Sequence, residues 1–111
     1  MESNRKRRSD RSHIIYKITN KVTREYYIGI TVVTGRAFKK SLLSRWKKHV
    51  TRATNENHNW NMCNAIRQYG DQNFQPEILE VIRGKIAAHK RETELIHIMK
   101  PSLNSTLKRS I

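Results

Sequence analysis

The stretch His13-Ile14-Ile15-Tyr16-Lys17-Ile18-Thr19 and, after a short polar link, Glu25-Tyr26-Tyr27-Ile28-Gly29-Ile30-Thr31 decides the fold. Both segments are rich in β-branched and aromatic residues, which suit a pleated, half-buried surface. The link, residues 20–24, is polar, so the two strands should close into a hairpin. If its tight turn centres on Lys21-Val22, Tyr16 lies opposite Tyr27 and both rings project from one face. A slip of one residue would send them to different faces.

Downstream, residues 32–40 read as a loop carrying Gly35 and the basic Arg36, Lys39 and Lys40. A first helix is predicted over about residues 41–51, with Leu42, Leu43, Trp46 and Val50 as its apolar stripe. Arg45, His49 and Arg52 share a different face, which read alone is a solvated basic stripe. After a polar loop containing His58, a second helix covers about residues 60–69. It turns Met62, Ala65, Ile66 and Tyr69 inward, and Gly70 stops it. Residues 76–82 read as a third strand, with Pro76 confined to its start or to an edge. Gly84 leads into a third helix over about residues 85–99, ended by Pro101.

On that third helix Ala88, Leu95, Ile96 and Met99 define an apolar arc, and Glu92 falls in its middle. Glu94 falls almost opposite, beside Lys90 and His97, where charge is harmless. A carboxylate facing a core is costly unless a cation, a metal or hydrogen bonds compensate it. A structural pair with a neighbouring Arg or Lys and a functional site both account for Glu92. The order β-β-α-α-β-α around a small three-stranded antiparallel sheet is an α+β fold. One domain is expected over residues 13–104, between a flexible basic arm (1–12) and a basic tail (105–111).

The 111-residue chain carries a formal net charge of +14. Such an excess repels itself, so a polyanionic partner is the natural explanation, nucleic acid first. Cys63 is the only cysteine, which excludes an intramolecular disulfide and a Cys-rich zinc site. The basic start Arg5-Lys6-Arg7-Arg8 is not followed by an apolar signal core, and no apolar run approaches membrane-spanning length. A cytoplasmic location in a bacterial or phage-infected cell is expected, with no membrane partner.

Phosphate-binding glycine loops, His-Glu-x-x-His and Gly-x-Ser-x-Gly are absent. His89 and His97 are two turns apart on one helix, and His58 with Cys63 makes a poor zinc site. What the chain does carry is Ile14-Ile15-Tyr16 followed by Tyr27-Ile28-Gly29, which resembles the motif of the GIY-YIG nuclease family, with Ile14 where the family name has glycine. Ser-Arg-Trp-Lys-Lys-His at 44–49 resembles the family's helix with an arginine and, one turn later, a histidine. His58 matches a further histidine of the phage homing-endonuclease branch. Asn64-Ala65-Ile66-Arg67-Gln68-Tyr69-Gly70 resembles its second helix. Arg91-Glu92 resembles the pair whose glutamate binds metal, and Pro101-Ser102-Leu103-Asn104 a terminal segment with a site asparagine. The family's glutamate is thus the carboxylate that the helix arc singles out independently.

The resemblance implies a metal-dependent endonuclease acting on double-stranded DNA, with Glu92 holding Mg²⁺ or Mn²⁺. Tyr16 or Tyr27 would position or deprotonate the attacking water. Arg45 would neutralise the phosphate, and His49 would relay the proton or bind an adjacent phosphate. His58 and Asn104 complete the expected catalytic set. Arg36, Lys39, Lys40, Lys48 and Arg52 are expected phosphate contacts. A monomer or a homodimer is expected. The alternatives are a non-catalytic basic nucleic-acid-binding protein on the same fold, and a restriction-like or structure-specific nuclease.

Overall fold

In a computed structural model, which describes residues 11–56 and 60–104, the expected α+β order is present. His58, most of the basic arm (1–10) and the tail (105–111) lie outside the described residues. The strands are β1 (Ser12–Asn20), β2 (Tyr26–Val32) and β3 (Phe74–Arg83), and the helices α1 (Phe38–Thr51), α2 (Asn61–Tyr69) and α3 (Lys85–Met99). The sheet order is β2-β1-β3, antiparallel throughout.

β1 is the central strand and is buried on both faces, which explains its nearly unbroken apolar run. Ile14, Tyr16 and Ile18 face α1 and α2, with Leu42, Met62 and Ile66 over them. Ile15 faces the other way and meets Ile28 and Leu95, beneath α3. Ile14, at the position of the family's first glycine, is therefore a fully buried core residue. β3 is an edge strand, which accommodates Pro76, paired with Ile18. The β1–β3 register shifts between Ile15 and Tyr16, so that β3 carries one extra residue there.

Six expectations need correction. Tyr16 pairs with Gly29, not Tyr27, and Tyr27 pairs with Ile18. The turn is longer than a two-residue one: the Asn20 side chain accepts from Val22 N–H at 2.9 Å, and Arg24 takes a left-handed φ of 72°. The slip is two residues, an even number, so both tyrosines still share a face. α1 begins at Phe38, so Lys39 and Lys40 lie in its first turn, not in a loop. Leu43 is exposed, whereas His49, placed by sequence on the polar side, is buried. β1 also starts at Ser12, inside the segment expected to be an arm.

The chain after α3 covers the free edge of β2. Lys100 turns it with a left-handed φ of 49°, and Leu103 N–H donates to the Tyr26 carbonyl at 3.1 Å. Arg91 fastens α3 to the sheet, its guanidinium forking onto Glu80 of β3 at 2.9 Å and reaching Glu94 at 3.2 Å. No described helix is long and apolar enough to cross a membrane.

Candidate active site

Gly29 makes room for the centre of the site. Tyr16 lies across it: a Cβ at position 29 would stand 2.5 Å from the Tyr16 hydroxyl and 2.7 Å from the Tyr27 ring. No side chain fits there, so the Tyr-Ile-Gly spacing has a steric cause. With that space open, the two tyrosine rings sit 6.1 Å apart, and His49 of α1 meets Tyr27 edge-on at 5.1 Å.

Around Tyr16 the hydrogen bonds run in one direction. Arg45 Nε–H donates to the Tyr16 hydroxyl at 3.4 Å, and with His49 neutral and protonated on Nδ1 that hydroxyl donates onward to Nε2 at 2.9 Å. Burial pushes His49 down to about 4, helped by the charges of Arg45 and Arg52, and a neutral ring is the species that can accept this bond. Burial also pushes both phenols up. For Tyr16, the neighbouring Tyr27 adds to the rise and Arg45 opposes it. For Tyr27, Arg45 is the chief opposing influence and Glu92 adds to the rise.

The His49 shift has a consequence for stability. Its folded value lies below the unfolded value of 6.5, so the unfolded chain takes up a proton first as pH falls. Stability present above pH 6.5 is therefore expected to decline between about pH 6.5 and about 4, by roughly 3 kcal/mol from this ring. Urea titrations at pH 7 and 4.5 check it. The His49→Gln chain should lack this part of the decline, and an equal decline in both chains would count against the buried neutral ring.

Glu92 approaches from α3 with a side chain only 18 % exposed. Burial raises its carboxyl above the ordinary range, and His89 works in the opposite direction. His89 Nδ1 is 3.6 Å from Glu92 Oε1, one helical turn away. Among the described residues no group of three or more His, Cys, Asp or Glu side chains is placed to hold a metal. A Mg²⁺ ion needs no such cage, since it keeps several waters and takes one or two carboxylates plus substrate oxygens. Glu92 suits that requirement, as a largely buried carboxylate with no Arg or Lys paired to it among the described residues.

Two openings meet at Arg45. One, of about 450 Å³, is lined by Lys40, Ser41, Ser44, Arg45 and Lys48 of α1 and by the end of β2. The other, of about 340 Å³, runs from Arg45 across His13 and Thr31 to Lys85 and His89 of α3. Lys48 of α1 and Arg52 just beyond its end continue the basic surface. Arg36 and Lys39 are exposed and line neither opening. Lys85, His89 and His13 were not singled out from sequence as site residues. For His89, the signal was there as its three-residue spacing from Glu92.

Asn104 is buried, and its amide is fully used on β2. Oδ1 accepts from Ile28 N–H at 2.9 Å, and Nδ2 donates to the Ile28 carbonyl at 2.8 Å. It thereby holds the backbone between Tyr27 and Gly29. Asn104→Asp replaces the donor with an acceptor facing a carbonyl. The expected cost at pH 7 is about 1–3 kcal/mol, read as a lower melting temperature. Unchanged melting would mean that the segment does not hold β2.

No protein-family model matches the chain, and no curated protein matches it. Among solved structures, a mutant form of the catalytic domain of intron endonuclease I-TevI is similar to it, with a TM-score of 0.59 and 23 % identity over 86 % of this chain and 88 % of that one. In fold, the chain is of the GIY-YIG nuclease type that its paired motifs resemble.

Proposed function

We propose that this chain is a metal-dependent endonuclease that hydrolyses phosphodiester bonds in double-stranded DNA, of the homing or mobile-element kind. The observation that carries the reading is the buried Tyr16–His49 pair bonded to Arg45, where the two basic openings meet, together with the largely buried Glu92 on α3. DNA binding alone requires no largely buried carboxylate without an Arg or Lys partner among the described residues. The homing character is supported by the fold's likeness to an intron endonuclease domain.

Held by Glu92, Mg²⁺ or Mn²⁺ would supply charge relief at the phosphate and leaving oxygen. Arg45 neutralises the phosphate and favours phenolate at Tyr27. Of the two tyrosines, Tyr27 is the better base. Tyr16 is completely buried and its hydroxyl proton is committed to His49, whereas Arg45 is the chief influence favouring the ionised form of Tyr27. Once its own proton has passed to solvent, the Tyr27 phenolate takes a proton from water as that water's oxygen attacks phosphorus, and the leaving oxygen departs and is protonated from solvent. Tyr16 and His49 hold the tyrosine pair in place. Lys40, Lys48 and Arg52 bind flanking phosphates. α1 opens with Lys39 and Lys40 and no acid, contrary to the preference of the helix dipole, and a polyanion offsets that cost.

The test is incubation of supercoiled plasmid with the protein in Mg²⁺ and in EDTA. Nicking or linearisation in Mg²⁺ that EDTA stops supports the nuclease. Tight DNA binding without cutting in Mg²⁺ or Mn²⁺ would overturn it and leave the non-catalytic binding protein, which the net charge of +14 also fits.

A further inference from the structure

The described glutamates that form ion pairs divide into two kinds. Glu77 pairs with Lys17 at 3.8 Å, and Glu80 and Glu94 pair with Arg91 at 2.9 and 3.2 Å. These partners can only donate hydrogen bonds. Glu92 is the least exposed of the four, at 18 % against 34–50 %, and among the described residues its partner is the His89 imidazole. An imidazole carries a ring nitrogen whose lone pair can bind a metal.

The placement favours that use. His89 and Glu92 are three residues apart on α3 and so share a face. His89 lines the cleft whose far wall is Arg45, where the phosphate is placed above. Adjacent ligands of an octahedral ion, with bonds near 2.1 Å, stand about 3 Å apart, so the 3.6 Å separation closes with a small side-chain adjustment. The imidazole is half exposed and has the freedom to make it.

We infer that His89 Nδ1 is a second protein ligand to the metal held by Glu92, with water and phosphate oxygens completing the shell. This rests on the metal-dependent reading above. One nitrogen among oxygen donors suits Mn²⁺ better than Mg²⁺ and shifts the metal preference accordingly.

Titration of Mn²⁺ into the protein, alone and with a short DNA duplex, followed by electron paramagnetic resonance, tests it. The wild-type chain should show ¹⁴N coupling to bound Mn²⁺ in spin-echo modulation. His89→Gln should lose that coupling and bind Mn²⁺ roughly tenfold or more weakly, with an unchanged circular-dichroism spectrum. Absence of ¹⁴N coupling in the wild-type chain, or its persistence in His89→Gln, overturns the inference while leaving Glu92 as the metal carboxylate. Mn²⁺ binding that Glu92→Gln does not weaken, or no binding at all, overturns the parent reading as well.

Discussion

Glu92→Gln is expected to lower DNA cleavage by about 10³-fold or more, roughly 4 kcal/mol of transition-state stabilisation, while leaving the fold intact. Gln keeps the shape of the side chain and removes the charge that would hold the metal. The stability effect should run the other way. Burial raises the Glu92 carboxyl, so at pH 7 its charged form is disfavoured in the folded chain. Removing that charge therefore leaves stability unchanged or slightly higher, and the variant should melt at or above the wild-type temperature. DNA affinity in the absence of metal should also persist, since it depends on Lys40, Lys48 and Arg52. Plasmid cleavage, thermal melts and filter binding read the three quantities separately. Cleavage within a few-fold of wild type would sink the assignment of Glu92 as metal ligand. A large fall in melting temperature would instead mean that Glu92 is structural.

Gly29→Ala is expected to damage both folding and cleavage. The added methyl would stand 2.5 Å from the Tyr16 hydroxyl and 2.6 Å from the ring carbon bearing it. Tyr16 is completely buried and cannot swing away into solvent. Either the ring shifts, breaking its 2.9 Å bond to His49, or β2 moves away from β1. Overpacking of this kind costs about 1–3 kcal/mol. A displacement of about 1 Å at a catalytic centre costs on the order of 10²-fold in rate. Denaturant unfolding and plasmid cleavage measure the two losses. A fully active and stable Gly29→Ala chain would show that Tyr16 does not rest on Gly29 as described.

These two positions were legible in the sequence to different degrees. Glu92 stood out because a helix has a period, and a charged residue inside an apolar arc breaks it. Ala88 and Leu95, on either side of it in the chain, are indeed buried. Gly29 was visible as part of a motif, but nothing local says that a tyrosine from the neighbouring strand lies over it. The stripe containing Arg45, His49 and Arg52 read as solvated because its composition is polar. The structure buries His49 since β1 presents a hydroxyl that satisfies its ring nitrogen. Asn104 was expected in the site, yet both of its amide groups are bonded to the backbone of β2.

By itself the sequence determined the element order, the hairpin, the inward face of α2 and α3, and the large excess of positive charge. The elements and faces follow from side-chain periodicity and turn residues, which act locally, and the charge is a sum over the whole chain. The tertiary structure decided the partners. Tyr16 lies against Gly29 because the turn around Asn20 sets a register two residues away from the tight-turn expectation. His49 meets Tyr16 and Tyr27 because α1 packs on the sheet face that carries both rings. Such meetings depend on how separate elements dock, and docking is governed by the shape of the packed core rather than by any one segment's pattern.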